Sequence, residues 1–163
     1  MTRTRTTLAV GLAGAVLLTG VVASSAAASG TSTTYLSVAG AWRMTIDPLP
    51  NPGGDPPPFV SRIAFAHGGV VTESASKYPP GFVAGSAGIG AWKQHRDRVT
   101  FTFERFLYDA NGFAAIQRVE GHATVGAKGQ TQGGPATATL LAPDGQTVLA
   151  SFGVQSSGTR LKP

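Results

Sequence analysis

The sequence predicts an all-β fold: eight antiparallel strands running up and down in chain order and closing into a barrel, downstream of an N-terminal signal peptide. Three observations carry this. In Gly40-Ala41-Trp42-Arg43-Met44-Thr45-Ile46 a glycine and a tryptophan precede strict alternation, which puts Trp42, Met44 and Ile46 on one face and Arg43, Thr45 and Asp47 on the other. Residues Arg98 to Tyr108, rich in β-branched and aromatic side chains, show the same period of two. No segment has a helical period, and turn-forming residues punctuate the chain at short intervals.

Residues 1–28 read as a signal peptide. Arg3 and Arg5 form a basic start, Leu8 to Ala23 an apolar run, and Ala26-Ala27-Ala28 a small-residue cleavage signal, so the mature protein is expected to be secreted. The run of roughly 16 residues is short for the roughly 20 that a membrane span needs, and no integral span is expected after cleavage. The 163-residue chain contains no cysteine, which excludes a lipoprotein anchor, disulfides and thiolate metal sites. Of the 13 basic residues, removal of Arg3 and Arg5 leaves 11 against 8 acidic ones. These are scattered with no basic run beyond two, so nucleic acid is not an expected partner.

Residues 29–35 are expected to be a flexible leader, and residues 36–163 one barrel domain. The first strand is placed at Leu36 to Ile46. The following stretch, Asp47 to Pro58, holds six prolines and can only be a stiff surface loop. Strands are then placed at Phe59 to Ala66 and Val70 to Ser74 around the turn His67-Gly68-Gly69. A second long loop, Ala75 to Gly88, carries Tyr78-Pro79-Pro80-Gly81-Phe82 and leads into a short strand at Ile89 to Gln94. Trp92 falls out of step with the inward-facing positions of that strand unless it is bulged. The strand at Arg98 to Tyr108 turns at Asp109-Ala110-Asn111-Gly112, where Asn-Gly accepts positive φ, into Phe113 to Val125. Strands near Thr131 to Ala142 and Gln146 to Val154 follow, and a final extended piece carries Arg160.

A Gly-x-Trp on the first strand of an eight-stranded meander, with an arginine near the end of the last, resembles the calycin group, which includes the lipocalins. Barrel-shaped proteins of the allene-oxide-cyclase and dirigent type are similar in shape, as are small bacterial barrels of uncharacterised function. The resemblance implies that Gly40, Trp42 and Arg160 close one end of the barrel, the arginine packing across the tryptophan by a cation–π contact.

Alternation then places Met44, Phe65, Phe101 and Phe103 inside, together with three polar residues, Ser61, Arg105 and Gln117. Phe113, Val148 and Ala150 are also read as inward, and small inward residues such as Ala115, Gly121, Ala123 and Ala150 leave room for a cavity. Connectivity puts both long loops on one rim, opposite the Trp42 end. An apolar interior, a loop-covered mouth and a few inward polar groups are the usual plan of a small-molecule pocket. Arg105 is the central candidate: a buried guanidinium is costly unless paired, and it can receive a ligand carboxylate or pair with Glu73. The expected function is therefore binding of a small apolar ligand, either neutral or with an acidic head. The alternatives are a cyclase or isomerase acting on an apolar substrate, and a protein-binding inhibitor barrel using its long loops. No catalytic residue is assigned. His67, His95 and His122 lack metal-ligand spacing, and neither a metal nor a cofactor is expected.

Overall fold

The structure is a computed structural model describing residues 35–50, 54 and 56–162. The signal peptide expected over residues 1–28 lies outside them, as do residues 29–34 of the expected leader and residues 51–53 and 55 of the Pro-rich loop.

The described residues form nine strands and no helix: β1 (Gly40–Pro48), β2 (Phe59–Phe65), β3 (Val70–Ala75), β4 (Ala84–Gly85), β5 (Gly88–His95), β6 (Arg98–Asp109), β7 (Gly112–Val125), β8 (Thr131–Leu141) and β9 (Val148–Arg160). All pairings are antiparallel. Leaving β4 aside, each strand pairs with its successor and β9 returns to β1, so eight strands close on themselves. This closed eight-stranded barrel is the fold class that the alternation predicts, and closure removes the unpaired edges of an open sheet.

The ninth strand lies in a stretch expected to be an unpaired loop. β6 runs beyond the point where β5 begins, which leaves the edge groups of Leu107 and Tyr108 without a neighbour. β4 supplies one by pairing Ala84 with Tyr108 and Gly85 with Leu107. Two flanking bonds, Val83 N to Tyr108 O and Ser86 N to Phe106 O, both 2.9 Å, extend the patch. The second long loop is thereby pinned along β6 towards the mouth.

At the other end the chain departs from the expected strand start at Leu36. Gly40 has a φ of +128°, a conformation that favours glycine, and the backbone turns there. The preceding segment lies across the barrel end instead of continuing β1. Val38 is fully buried; its N–H donates to the Gln94 side-chain oxygen at 2.8 Å, and its carbonyl accepts from Trp42 Nε1 at 2.8 Å. Trp42 is fully buried and pairs in register with Arg160, whose guanidinium carbon stands 4.3 Å from the Trp42 ring centroid. That guanidinium also donates to the carbonyls of Gly129 (2.8 Å), Ser37 (2.6 Å) and Ala39. One cation thus ties together β1, β9, the β7–β8 turn and the segment that crosses the floor.

The facing of four residues differs from expectation. Trp92 points inward with no bulge, because Gly88, Gly90 and Gln94 share its face while Ile89 is exposed. Its indole packs edge-on against Phe65, centroids 5.6 Å apart, and donates to the Ala66 carbonyl at 2.9 Å. A register shift between Leu107 and Tyr108 turns Phe113 outward, where it packs against Phe106 and Tyr108. Val148 and Ala150 are exposed because the β1–β9 ladder stops at the Pro48–Val154 pair, extended only by the bond from Leu49 N to the Gly153 carbonyl, and among the described strands β8 alone pairs with β9 before that point.

Trp42→Ala is expected to lower the free energy of unfolding by about 3–5 kcal/mol in a guanidinium titration. Ile89→Ala, on the outward face of β5, is expected to change it by less than about 0.5 kcal/mol. An inward Ile89 would remove the contrast, since its truncation would then cost about 2–5 kcal/mol.

Candidate ligand-binding site

The inward face of the barrel carries apolar side chains on every strand and a polar group near one end. Ser61 on β2, Glu73 on β3, Arg105 on β6 and Gln117 on β7 are all buried. Arg105 and Gln117 face each other in register across β6 and β7, and Arg105 Nε donates to the Gln117 side-chain oxygen at 2.7 Å. Arg105 NH1 donates to Glu73 Oε2 at 3.2 Å, and the Ser61 hydroxyl donates to Glu73 Oε1. Four strands are therefore joined through four side chains.

Glu73 and Arg105 can meet because the strand between theirs presents almost nothing. β5 contributes Gly88 at that level, paired with Glu73. A Cβ there would sit 2.7 Å from Phe103 Cδ2 and 3.3 Å from Glu73 Cβ. Any larger residue would drive the Phe103 ring into the interior.

Burial raises the Glu73 carboxyl above its ordinary value of 4.5; the Arg105 charge and the Ser61 hydrogen bond oppose that rise without cancelling it. The side chain therefore takes up a proton more readily than an exposed glutamate. Arg105 is also covered from outside: the Tyr78 ring lies 5.5 Å from its guanidinium carbon, and the Tyr78 hydroxyl donates to the Gly85 carbonyl at 3.3 Å. Strand β4 thus holds the Tyr78 loop against the barrel's polar end. The Arg105 NH2 group has no protein acceptor among the described residues.

Two cavities meet at this polar group. The inner one, about 70 Å³, lies within the barrel, and all seven residues singled out from sequence (Met44, Ser61, Phe65, Phe101, Phe103, Arg105 and Gln117) border it. Its remaining lining includes Ile63, Val119 and Ala123 and, less visible in the sequence, Glu73, Gln132 and Ser156. The outer one, about 420 Å³, is a funnel between the two long loops, walled by Pro48, Pro56, Pro57, Tyr78, Pro79 and Pro80. Phe59, Arg105, Gln117 and Phe152 border both. Lys77 adds a second cation to the funnel, and no acidic residue lines it among those described. Among the described residues no three acidic or histidine side chains gather where they could hold a metal ion.

The pairing of Arg105 with Glu73 weighed from the sequence is present, whereas Tyr78, Gln132 and Ser156 are site residues that no sequence pattern assigns. Glu73 sits on a strand of six residues, too short for alternation to decide its face. Gln132 sits in Thr131-Gln132-Gly133-Gly134-Pro135, where no alternation exists. Tyr78 was visible as a loop aromatic, but nothing local tied it to Arg105.

Comparison with protein-family models, curated proteins and solved structures finds no match to this chain. The closed antiparallel barrel is consistent with a calycin-like fold, and the functional reading stands on the site itself.

Arg105→Met is expected to destabilise the fold by about 3–5 kcal/mol, because it leaves the Glu73 carboxylate buried without its partner. Adding Glu73→Gln to that variant should recover much of the loss. Because the folded protein holds the Glu73 proton more tightly than the unfolded chain does, the stabilisation this provides is complete below about pH 4.5 and is lost as pH rises through the raised folded-state value. The difference in unfolding free energy between wild type and Glu73→Gln, measured by denaturant titration from pH 4 to pH 8, should carry that slope; a flat difference would contradict it.

Proposed function

We propose that this barrel binds small amphiphiles non-covalently, with an apolar tail in the interior and an acidic head at the mouth. The observation that carries the reading is the sequence of environments along one path: a funnel lined by Lys77 and Arg105 without a described acid, then an apolar chamber inside the strands. The outer N–H groups of Arg105 receive the head, and Lys77 adds long-range attraction. Glu73 makes Arg105 a better anchor than an isolated guanidinium would be, since it fixes the side chain and offsets the cost of its burial. Tail burial against Met44, Ile63, Phe65, Phe101 and Phe103 supplies the driving force, roughly 25 cal/mol per Å² of apolar area before association costs. In this reading the protein is a secreted carrier or scavenger of the lipocalin type.

A second reading has one observation in its favour. The Glu73 carboxyl borders an apolar chamber and is held above its ordinary value, which suits a proton donor in a cyclase- or isomerase-like barrel. Incubation with a bound unsaturated acid and recovery of an isomer, lost in Glu73→Gln, would favour that reading over carriage.

Calorimetric titration with straight-chain carboxylic acids from hexanoic to dodecanoic tests the carrier reading. Affinity is expected to rise by about fourfold per added methylene, the equivalent of about 0.8 kcal/mol, while the added carbons still find apolar wall in the chamber and the adjoining funnel, and to level off beyond that. The Arg105→Met/Glu73→Gln variant should lose tenfold or more for acids while retaining its weaker binding of alcohols of the same length. Equal affinity of wild type for acid and alcohol would remove the acidic head, and no binding by any member would remove the carrier.

A further inference from the structure

The inner cavity has a second polar end. Gln132 on β8 is 5% exposed and borders the cavity, yet its side-chain oxygen has no hydrogen-bond partner among the described residues. Its Nε2 has only the Met44 sulfur, 3.5 Å away and a weak acceptor. Gln132 pairs with Gly158 on β9, and Gly158 with Met44 on β1, the inward rung next to the Trp42–Arg160 closure. The amide therefore lies at the deep end of the chamber, far along the strands from Arg105 and Gln117. Close by on the same face of β9, Ser156 is buried and donates its hydroxyl proton to the Gly134 carbonyl at 2.9 Å. The lone pairs of its oxygen are left as acceptors.

A buried amide without partners costs stability, and in a chamber lined mostly by apolar side chains, Met44 beside it among them, nothing in the packing requires it. A leucine would fill the same space without an unmet hydrogen bond. Resting on the carrier reading above, we propose that Gln132 and Ser156 form a floor subsite for a hydroxyl on the buried end of the ligand, so that the barrel selects amphiphiles polar at both ends, of the ω-hydroxy acid class. A hydroxyl is the group that fits: it donates to the Gln132 oxygen or to Ser156 Oγ, and it can accept from the Gln132 amide nitrogen, so it satisfies the amide in either orientation. A simple alkyl terminus at the same place would cover the carbonyl and leave it unmet.

The test compares each straight-chain acid with the ω-hydroxy acid of the same length, by calorimetric titration of wild type and Gln132→Leu. Wild type should bind the hydroxy acid at least fivefold more tightly at the chain length that fills the chamber. Gln132→Leu should reverse that order while both acids still depend on Arg105. The thermal unfolding midpoint of unliganded Gln132→Leu should equal or exceed that of wild type, whereas an amide kept for structure alone would make it fall. A preference of wild type for the plain acid, or a ratio unchanged by Gln132→Leu, would overturn the floor subsite and leave the carrier reading intact. A permanently held water satisfying the amide would give that second result. If neither acid binds wild type, the carrier reading falls and the subsite with it.

Discussion

Everything inside this barrel depends on β9 finding β1. Seven of the eight pairings that close the barrel join strands that follow one another along the ring from β1 to β9, and only this one joins the ends of that ring. Until it forms, both end strands present open edges and the interior is half solvated. The closure is secured at the rung where Trp42 meets Arg160, by an interaction that does several things at once. The guanidinium lies over the indole and also takes up carbonyls from the segment preceding β1 and from the β7–β8 turn. Cation–π attraction of this kind contributes about 0.5–2 kcal/mol, and hydrogen bonds to a charged donor add about 1.5–3 kcal/mol each. Gly40 belongs to the same device, since a Cβ there would stand 2.5 Å from Arg160 NH1 and its positive φ turns the chain onto the floor.

With one end sealed, the polar group at the other end acquires its meaning. Four buried polar side chains cost stability unless they satisfy one another, and Ser61, Glu73, Arg105 and Gln117 do so in a single chain of hydrogen bonds. The arrangement needs a gap in the wall, which Gly88 provides, and a cover, which the Tyr78 loop provides through β4. Glycine serves packing again at Gly158, where a Cβ would collide with the Met44 sulfur, and at Gly90, where it would collide with the Thr102 carbonyl. The interior is therefore shaped as much by absent side chains as by present ones.

Those absences explain where the sequence was readable. The barrel itself is legible because β1 and β6 alternate long apolar residues with polar ones, and because turn residues separate neighbouring strands by short distances. The seven interior residues on β1, β2, β6 and β7 follow from that alternation, and the structure brings them around one cavity. β5 is hard to read because its first two inward positions are Gly88 and Gly90 while Ile89, the most apolar residue nearby, faces solvent. Phe113 was misread because a bulge shifts parity without leaving a mark in composition. The contact of Tyr78 with Arg105 and the partnerless amide of Gln132 are properties of three-dimensional packing that no local pattern encodes.

The central claim is that a ligand passes the cationic mouth and enters the strands. Met44 is the one methionine among the described residues, and it lines the chamber with its sulfur over Gly158 and against Gln132. The most direct measurement is the methyl resonance of Met44 in methyl-labelled protein titrated with decanoic acid. The account predicts that this resonance moves in step with the calorimetric binding curve. Binding that leaves the Met44 methyl unmoved would place the acid outside the barrel and contradict it.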